Sequence, residues 1–135
     1  MLLAALFVAG CLIALTKWRS RLHAKQLAAK RSGMPPALLI DRLIAAGVSE
    51  NVAEYAWDII GPYYGEGDIL PHPDDDLSDD AGIDPEDIED MVAEFFRHFA
   101  LPEPTRKQPE QIPLPLTILK FAQYLDRRRN ELAMI

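Results

Sequence analysis

The chain has 135 residues, 49% of them hydrophobic, with 14 basic and 21 acidic residues and a net charge of −7. This length provides one small domain, and a single cysteine leaves no partner for an intrachain disulfide. The charge is unevenly distributed, since residues 17–31 hold six basic residues and no acidic one, whereas residues 32–135 hold 8 basic and 21 acidic residues. A net charge of −13 over the second region repels phosphates and argues against nucleic-acid binding.

The chain begins with an apolar run, because residues 2–15 contain no charged side chain. As a helix, residues 1–16 would span about 24 Å, which is marginal for a hydrocarbon core of roughly 30 Å. The basic residues follow the run, which favours a cytoplasmic location for everything after it. We therefore predict a single-pass anchor in the inner membrane (1–16), a basic juxtamembrane segment (17–33) and a cytoplasmic acidic domain (34–135). The predicted membrane-interface residues are Lys17, Trp18, Arg19 and Arg21.

Cys11 leaves a second interpretation of this run open. The sequence Val8-Ala9-Gly10-Cys11 resembles a bacterial lipoprotein box, in which the cysteine is acylated and the domain lies outside the cytoplasm. The absence of basic residues before the run, and its continuation past Cys11, favour a cysteine that only faces lipid.

The rest of the chain shows helical rather than alternating periodicity, so we predict an all-α domain. A first helix is predicted to open at Pro35-Pro36 and close at Gly47, and a second to begin at Val48-Ser49 and stop at Gly61-Pro62. Residues 63–73 are predicted to form a loop that Ile69 and Leu70 anchor to the core.

A third helix has the strongest signals. Asp84 is the predicted N-cap and Pro85 the first helical residue, and an apolar stripe follows one side of the helix. The stripe consists of Ile88, Met91, Val92, Phe95, Phe96 and Phe99. The other side carries acidic residues. Five prolines then exclude regular structure from 102 to 115, and a closing helix is predicted from Thr117.

The residues offer no catalytic constellation. The three histidines lie in three separate segments, no glycine-rich phosphate loop exists, and no serine lies in a nucleophile elbow. We therefore predict a protein that is not an enzyme and has no metal centre. Ten acidic residues between Asp74 and Asp90 raise the question of calcium, but the glycine of an EF-hand loop is displaced by one position and the final glutamate is missing.

The segment Asp76-Leu77-Ser78-Asp79-Asp80-Ala81-Gly82-Ile83-Asp84, which leads into the acidic amphipathic helix, resembles the corresponding part of an acyl carrier protein. The closing segment Thr117-Ile118-Leu119-Lys120-Phe121-Ala122-Gln123-Tyr124-Leu125 is similar to the last helix of that family. The resemblance covers about residues 49–129 and implies a small helical bundle that docks on partner enzymes through the acidic helix.

Pro85 occupies the position at which the family has the serine that carries phosphopantetheine. Proline has no hydroxyl, so the resemblance implies that this cofactor is absent. The motif Gly82-Ile83-Asp84-Pro85-Glu86-Asp87 more closely resembles that of uncharacterised bacterial acyl-carrier-like proteins, which also lack this serine.

These features predict a membrane-anchored binding or scaffold module that docks on a basic patch of a protein partner, such as a lipid- or acyl-metabolising enzyme. The predicted docking residues are Asp84, Glu86, Asp87, Glu89, Asp90 and Glu94. Two alternatives stay open: a working acyl carrier in lipid or envelope biosynthesis that is modified at Ser78, and an acidic immunity or inhibitor protein.

Overall fold

The computed structural model describes residues 8–15, 33–65 and 69–134, and within them the chain is helical without a strand. Residues 8–15 are helical (α1). The other helices are α2 (Pro36–Ala45), α3 (Glu50–Ile60), α4 (Pro85–His98) and α5 (Ile118–Ala133), and a short 3₁₀ helix covers Gly61–Tyr64. The prediction of an all-α protein is confirmed for the described residues.

The predicted transmembrane helix is wrong. Among the residues that the structure describes, no helix has both the length and the apolar character needed to cross a membrane. The described part of α1 has eight residues. They rise about 12 Å, less than half of a hydrocarbon core of roughly 30 Å. The predicted single-pass location in the inner membrane is therefore not supported. Lys17, Trp18, Arg19 and Arg21 lie outside the described residues.

A tight turn joins α2 to α3. Gly47 has a φ of +97°, a conformation that residues with a Cβ rarely adopt. The Val48 N–H donates to the Leu43 carbonyl at 3.1 Å and the Gly47 N–H to the Ile44 carbonyl at 3.0 Å. This pattern ends α2 as the sequence predicted and turns the chain directly into α3.

The α-helix α3 ends at Ile60 with Gly61 as its C-cap, as predicted. The 3₁₀ helix that follows at residues 61–64 was not predicted. Of the two predicted anchors of the loop, Ile69 is partly buried against the core, whereas Leu70 is 42% exposed. A further anchor is Tyr64, whose hydroxyl donates to the buried carboxylate of Asp75 at 2.5 Å.

One core joins α2, α3, α4 and α5. Each of these helices contributes fully buried side chains, among them Leu39, Leu43, Val52, Ile60, Ile88, Phe95, Phe96, Phe121 and Leu125. All but one of the predicted stripe residues of α4 are buried, and Phe99 is half-buried at the end of the helix. Leu38, predicted to belong to the stripe of α2, is 49% exposed.

The loop before α4 is held against the start of α5 by backbone hydrogen bonds. Leu77 N–H donates to the Leu116 carbonyl, and Ile118 N–H donates to the Asp75 carbonyl, both at 2.9 Å. Asp76 and Thr117 form an isolated antiparallel bridge. These bonds fix the position at which α4 begins, and therefore the direction in which its polar side faces.

Candidate partner-docking surface

The acidic helix α4 begins where the sequence predicted. Asp84 is the N-cap and Pro85 the first helical residue, while Glu86 and Asp87 lie in the first turn. The Asp84 side chain makes no capping hydrogen bond. Its carboxylate and those of the first turn instead act through the helix dipole, which favours negative charge near exposed backbone N–H groups.

Five of the predicted docking residues lie on α4 and Asp84 is its N-cap, and we call this set the acidic face. It consists of Asp84, Glu86, Asp87, Glu89, Asp90 and Glu94. Five of the six are exposed and Asp87 is half-buried. The structure therefore brings these carboxylates together on one accessible surface over about three turns of helix.

An aromatic residue that the sequence analysis missed lies beside this face. Tyr63, from the 3₁₀ helix, is 42% exposed. Burial raises its pKa, and the carboxylates of Asp87, Asp84 and Asp90 raise it further because they disfavour a phenolate. The loop prediction for 63–73 gave no signal for this position, because the proximity of Tyr63 to these carboxylates depends on the path of the chain between them.

A second tyrosine flanks the other end of the acidic face. Burial raises the pKa of Tyr55, Glu94 raises it further, and Arg97 opposes them. The Tyr55 ring packs against Phe95 and His98, with centroid separations of 5.6 and 4.5 Å. His98 lies in the last turn of α4.

On its other side, the acidic face borders the proline-rich segment 102–115, which we call the proline-rich linker. Glu89 and Val92 line a groove of about 380 Å³ whose opposite wall is formed by Pro104, Arg106 and Ile112. The linker is fastened to α5 through Glu110, which accepts hydrogen bonds from Tyr124 and Arg128. Arg128 Nε lies 2.7 Å from Glu110 Oε1. The candidate docking surface is thus bordered by the 3₁₀ helix with Tyr63 and by the proline-rich linker. The sequence did not indicate that either element lies near α4.

Ser78, the predicted irregular attachment residue, lies in the turn before α4 and is half-buried. Its N–H donates to Asp76 Oδ1 at 2.9 Å, and the Asp79 N–H donates to the same oxygen at 2.8 Å. Asp80 Oδ2 accepts the Asp76 N–H at 2.8 Å. The carboxylates of Asp76 and Asp80 therefore hold this turn together.

Within residues 8–15, 33–65 and 69–134, no cluster of three or more histidine, cysteine or acidic side chains could hold a metal ion. Cys11 is exposed on α1.

Comparison with known proteins adds no relative: no family model, no curated protein and no solved structure matches this chain.

Proposed function

We propose that this protein is a helical, acyl-carrier-like binding or scaffold module that has no prosthetic group and docks through the acidic face of α4 on a basic patch of a protein partner. The partner class is an enzyme that metabolises lipids or acyl groups. The observation that carries the proposal is the collection of six carboxylates on the accessible side of one helix whose opposite side is buried.

Three features support docking by this face. The helix is rigid, because Ile88 and Phe95 fix it in the core. Its negative field raises the rate at which a positively charged surface is encountered. Tyr63 adds an exposed aromatic ring near the carboxylates; aromatic residues are enriched at protein interfaces, and their rings attract the Lys and Arg side chains of a partner.

The resemblance to acyl carrier proteins supports the proposed partner class. The stretch Gly82-Ile83-Asp84 precedes α4 as it precedes the docking helix of that family, and α5 occupies the closing position. Pro85, as the first residue of α4, supplies no hydroxyl for phosphopantetheine. In this proposal the protein keeps the recognition surface of a carrier and occupies or recruits a partner without delivering an acyl chain.

The test is affinity capture with two charge-reversed variants. Glu86→Lys/Asp90→Lys alters the acidic face, and Glu50→Lys/Glu54→Lys makes the same charge change on exposed positions of α3. A partner should be captured by the wild type and by the α3 variant and lost with the α4 variant. Binding of the purified partner is then measured by calorimetry, where each buried charge pair contributes a loss of about 2 kcal/mol or more. Equal capture by all three proteins would refute docking by α4.

A further inference from the structure

A second site lies on the opposite side of the domain from the linker contact of α4, where the α2–α3 turn faces the last turns of α5. It is a groove of about 400 Å³, a size within the range of small-ligand sites. One wall is the turn Ala46-Gly47-Val48, and the other is the side of α5 that carries Gln123, Asp126 and Asn130. None of these residues belongs to the acidic face, so the groove is independent of the proposed docking surface.

The groove contains a buried carboxylate with one oxygen uncommitted. Asp126 is 9% exposed, and its Oδ1 accepts a hydrogen bond from the Ser49 hydroxyl at 2.6 Å. Among the described residues, Asp126 Oδ2 receives no hydrogen bond. Oδ2 is open to the groove, because it is not among the buried side-chain atoms that lack a partner, and a charged donor that entered would make a charge-assisted hydrogen bond to it.

Two helix ends add negative potential at the same place. Ala46 is the C-cap of α2 and Met134 the C-cap of α5, and both line the groove. The carbonyl end of a helix carries partial negative charge and favours a cation. The lining also holds a cation, Arg127, but its charge is paired there, since its Nε lies 3.7 Å from Glu131, a second carboxylate of the lining, and its guanidinium lies 5.6 Å from the Tyr124 ring centre.

The rest of the lining combines apolar surface with amide groups. Ala46, Val48 and Met134 supply aliphatic surface beside the carboxylate, and Asn130 and Gln123 supply amide groups at its edge. The Gln123 amide nitrogen lies 3.4 Å from the Ala46 carbonyl oxygen, which joins the two walls. A ligand that matches this lining has a short aliphatic body and a single positively charged nitrogen with hydrogen-bond donors.

We propose that this groove binds a primary alkylammonium group, whose nitrogen donates to Asp126 Oδ2 while its alkyl chain lies against Val48 and Met134. The same chemistry is present in a free aliphatic amine and in a lysine side chain. The groove selects the head group by charge and donor number and the body by its apolar surface.

The experiment is a nuclear magnetic resonance titration of the full chain with n-butylammonium chloride, in an amine-free buffer at constant ionic strength. We expect saturable shifts of the Gly47 backbone amide and of the Gln123 and Asn130 side-chain amides. Sodium butyrate and 1-butanol have the same alkyl chain with a negative or a neutral head group, and they should not reproduce the shifts. Equal shifts with either control would overturn the proposal.

Two variants and one control identify the residues responsible. Asp126→Asn keeps an acceptor for Ser49 but removes the charge, and it should weaken binding about tenfold or more. Asn130→Arg introduces a competing cation at an exposed position that can change without disturbing the core, and it should abolish binding. Asp41→Asn removes an exposed carboxylate of α2 outside the groove and should leave binding unchanged. Unaltered affinity in Asn130→Arg would refute the site even if Asp126→Asn failed to fold.

The titration is repeated with N-acetyl-lysine methylamide to distinguish the two sources of the ammonium group. Tighter binding than n-butylammonium supports a lysine side chain of another protein as the occupant, and weaker binding supports a free amine. Absence of saturable shifts with both compounds overturns the proposal.

Discussion

The Ser49 hydroxyl donates a hydrogen bond of 2.6 Å to Asp126 Oδ1, which joins the start of α3 to the middle of α5. The sequence predicts Ser49 as the N-cap of α3, and it is the N-cap, but its side chain makes no capping hydrogen bond. Its hydroxyl serves a tertiary contact across 77 positions of sequence instead. The two helices are therefore fixed relative to each other by a polar pair at the edge of an apolar core.

The first prediction concerns this pair. Ser49→Ala should lower the free energy of unfolding by about 1 to 3 kcal/mol, because it leaves the buried Asp126 carboxylate without its donor. Urea unfolding followed by circular dichroism measures the change. Ser49→Thr keeps the hydroxyl and is the matched control. A loss as large in Ser49→Thr as in Ser49→Ala would show that the hydrogen bond is not the cause.

The second prediction concerns alkaline pH. Burial raises the pKa of Tyr124, and its hydrogen bond to Glu110 raises it further. Between the pKa of the unfolded chain, about 10, and the higher folded value, the unfolded state releases a proton that the folded state keeps. The free energy of unfolding should therefore fall as the pH rises above about 10, and be unaffected by this group at lower pH.

Urea unfolding across this pH range tests it. Tyr124→Phe should lose part of the alkaline slope, whereas Tyr63→Phe, which alters an exposed phenol, should lose less of it. The pKa values of Tyr63 and Tyr55 are also raised, so a residual slope is expected in both variants. An identical slope in the wild type and Tyr124→Phe would contradict the prediction.

The third prediction concerns the entry into the folded domain. A Cβ added to Gly33 would lie 2.4 Å from the Leu70 carbonyl oxygen, so the two backbones cannot keep their distance. Gly33→Ala should break the 3.0 Å hydrogen bond from Met34 N–H to the Pro71 carbonyl and cost about 1 to 3 kcal/mol. Gly10→Ala is the control, because a Cβ at Gly10 would meet nothing within 4 Å. Similar thermal unfolding of the two variants would show that the approach at Gly33 is not constrained.

The fourth prediction tests the layout of the acidic face with two tyrosines as reporters. Asp87→Asn should lower the pKa of Tyr63 and leave that of Tyr55 unchanged, and Glu94→Gln should do the reverse. The reason is that each carboxylate disfavours the phenolate nearest to it. Carbon-detected titration of the tyrosine rings resolves the two groups. If both substitutions shifted both tyrosines equally, the carboxylates would act as one diffuse field and the two ends of the face would not be distinct.

The sequence predicted α4 well because its signals are local. Asp84 and Pro85 mark the start of the helix, and the period of the apolar residues from Ile88 to Phe96 assigns one side to the core. The acidic face follows directly, since the residues left over have to face solvent. The Gly47 turn was also predictable, because a left-handed residue at the end of a helix favours glycine.

The same local reasoning failed at the N-terminus. An apolar run fits a membrane span or another environment equally well, and composition does not fix the length of a helix; the described part of α1 covers only residues 8–15. After α3 the predicted stop at Gly61-Pro62 is correct for the α-helix, which ends at Ile60, but the 3₁₀ turn that follows it and carries Tyr63 was not predicted.

By itself the sequence determined that the folded region is helical, where α2 to α5 begin, and which side of α4 is acidic. These properties depend on residues within a few positions of one another, which share a helix turn or a cap. Only the tertiary structure decided that Tyr63 lies beside Asp87, that Glu110 fastens the linker to Arg128, and that Asp126 lines a groove closed by Gly47. Those pairs join distant parts of the chain, and their meeting depends on how the whole core packs.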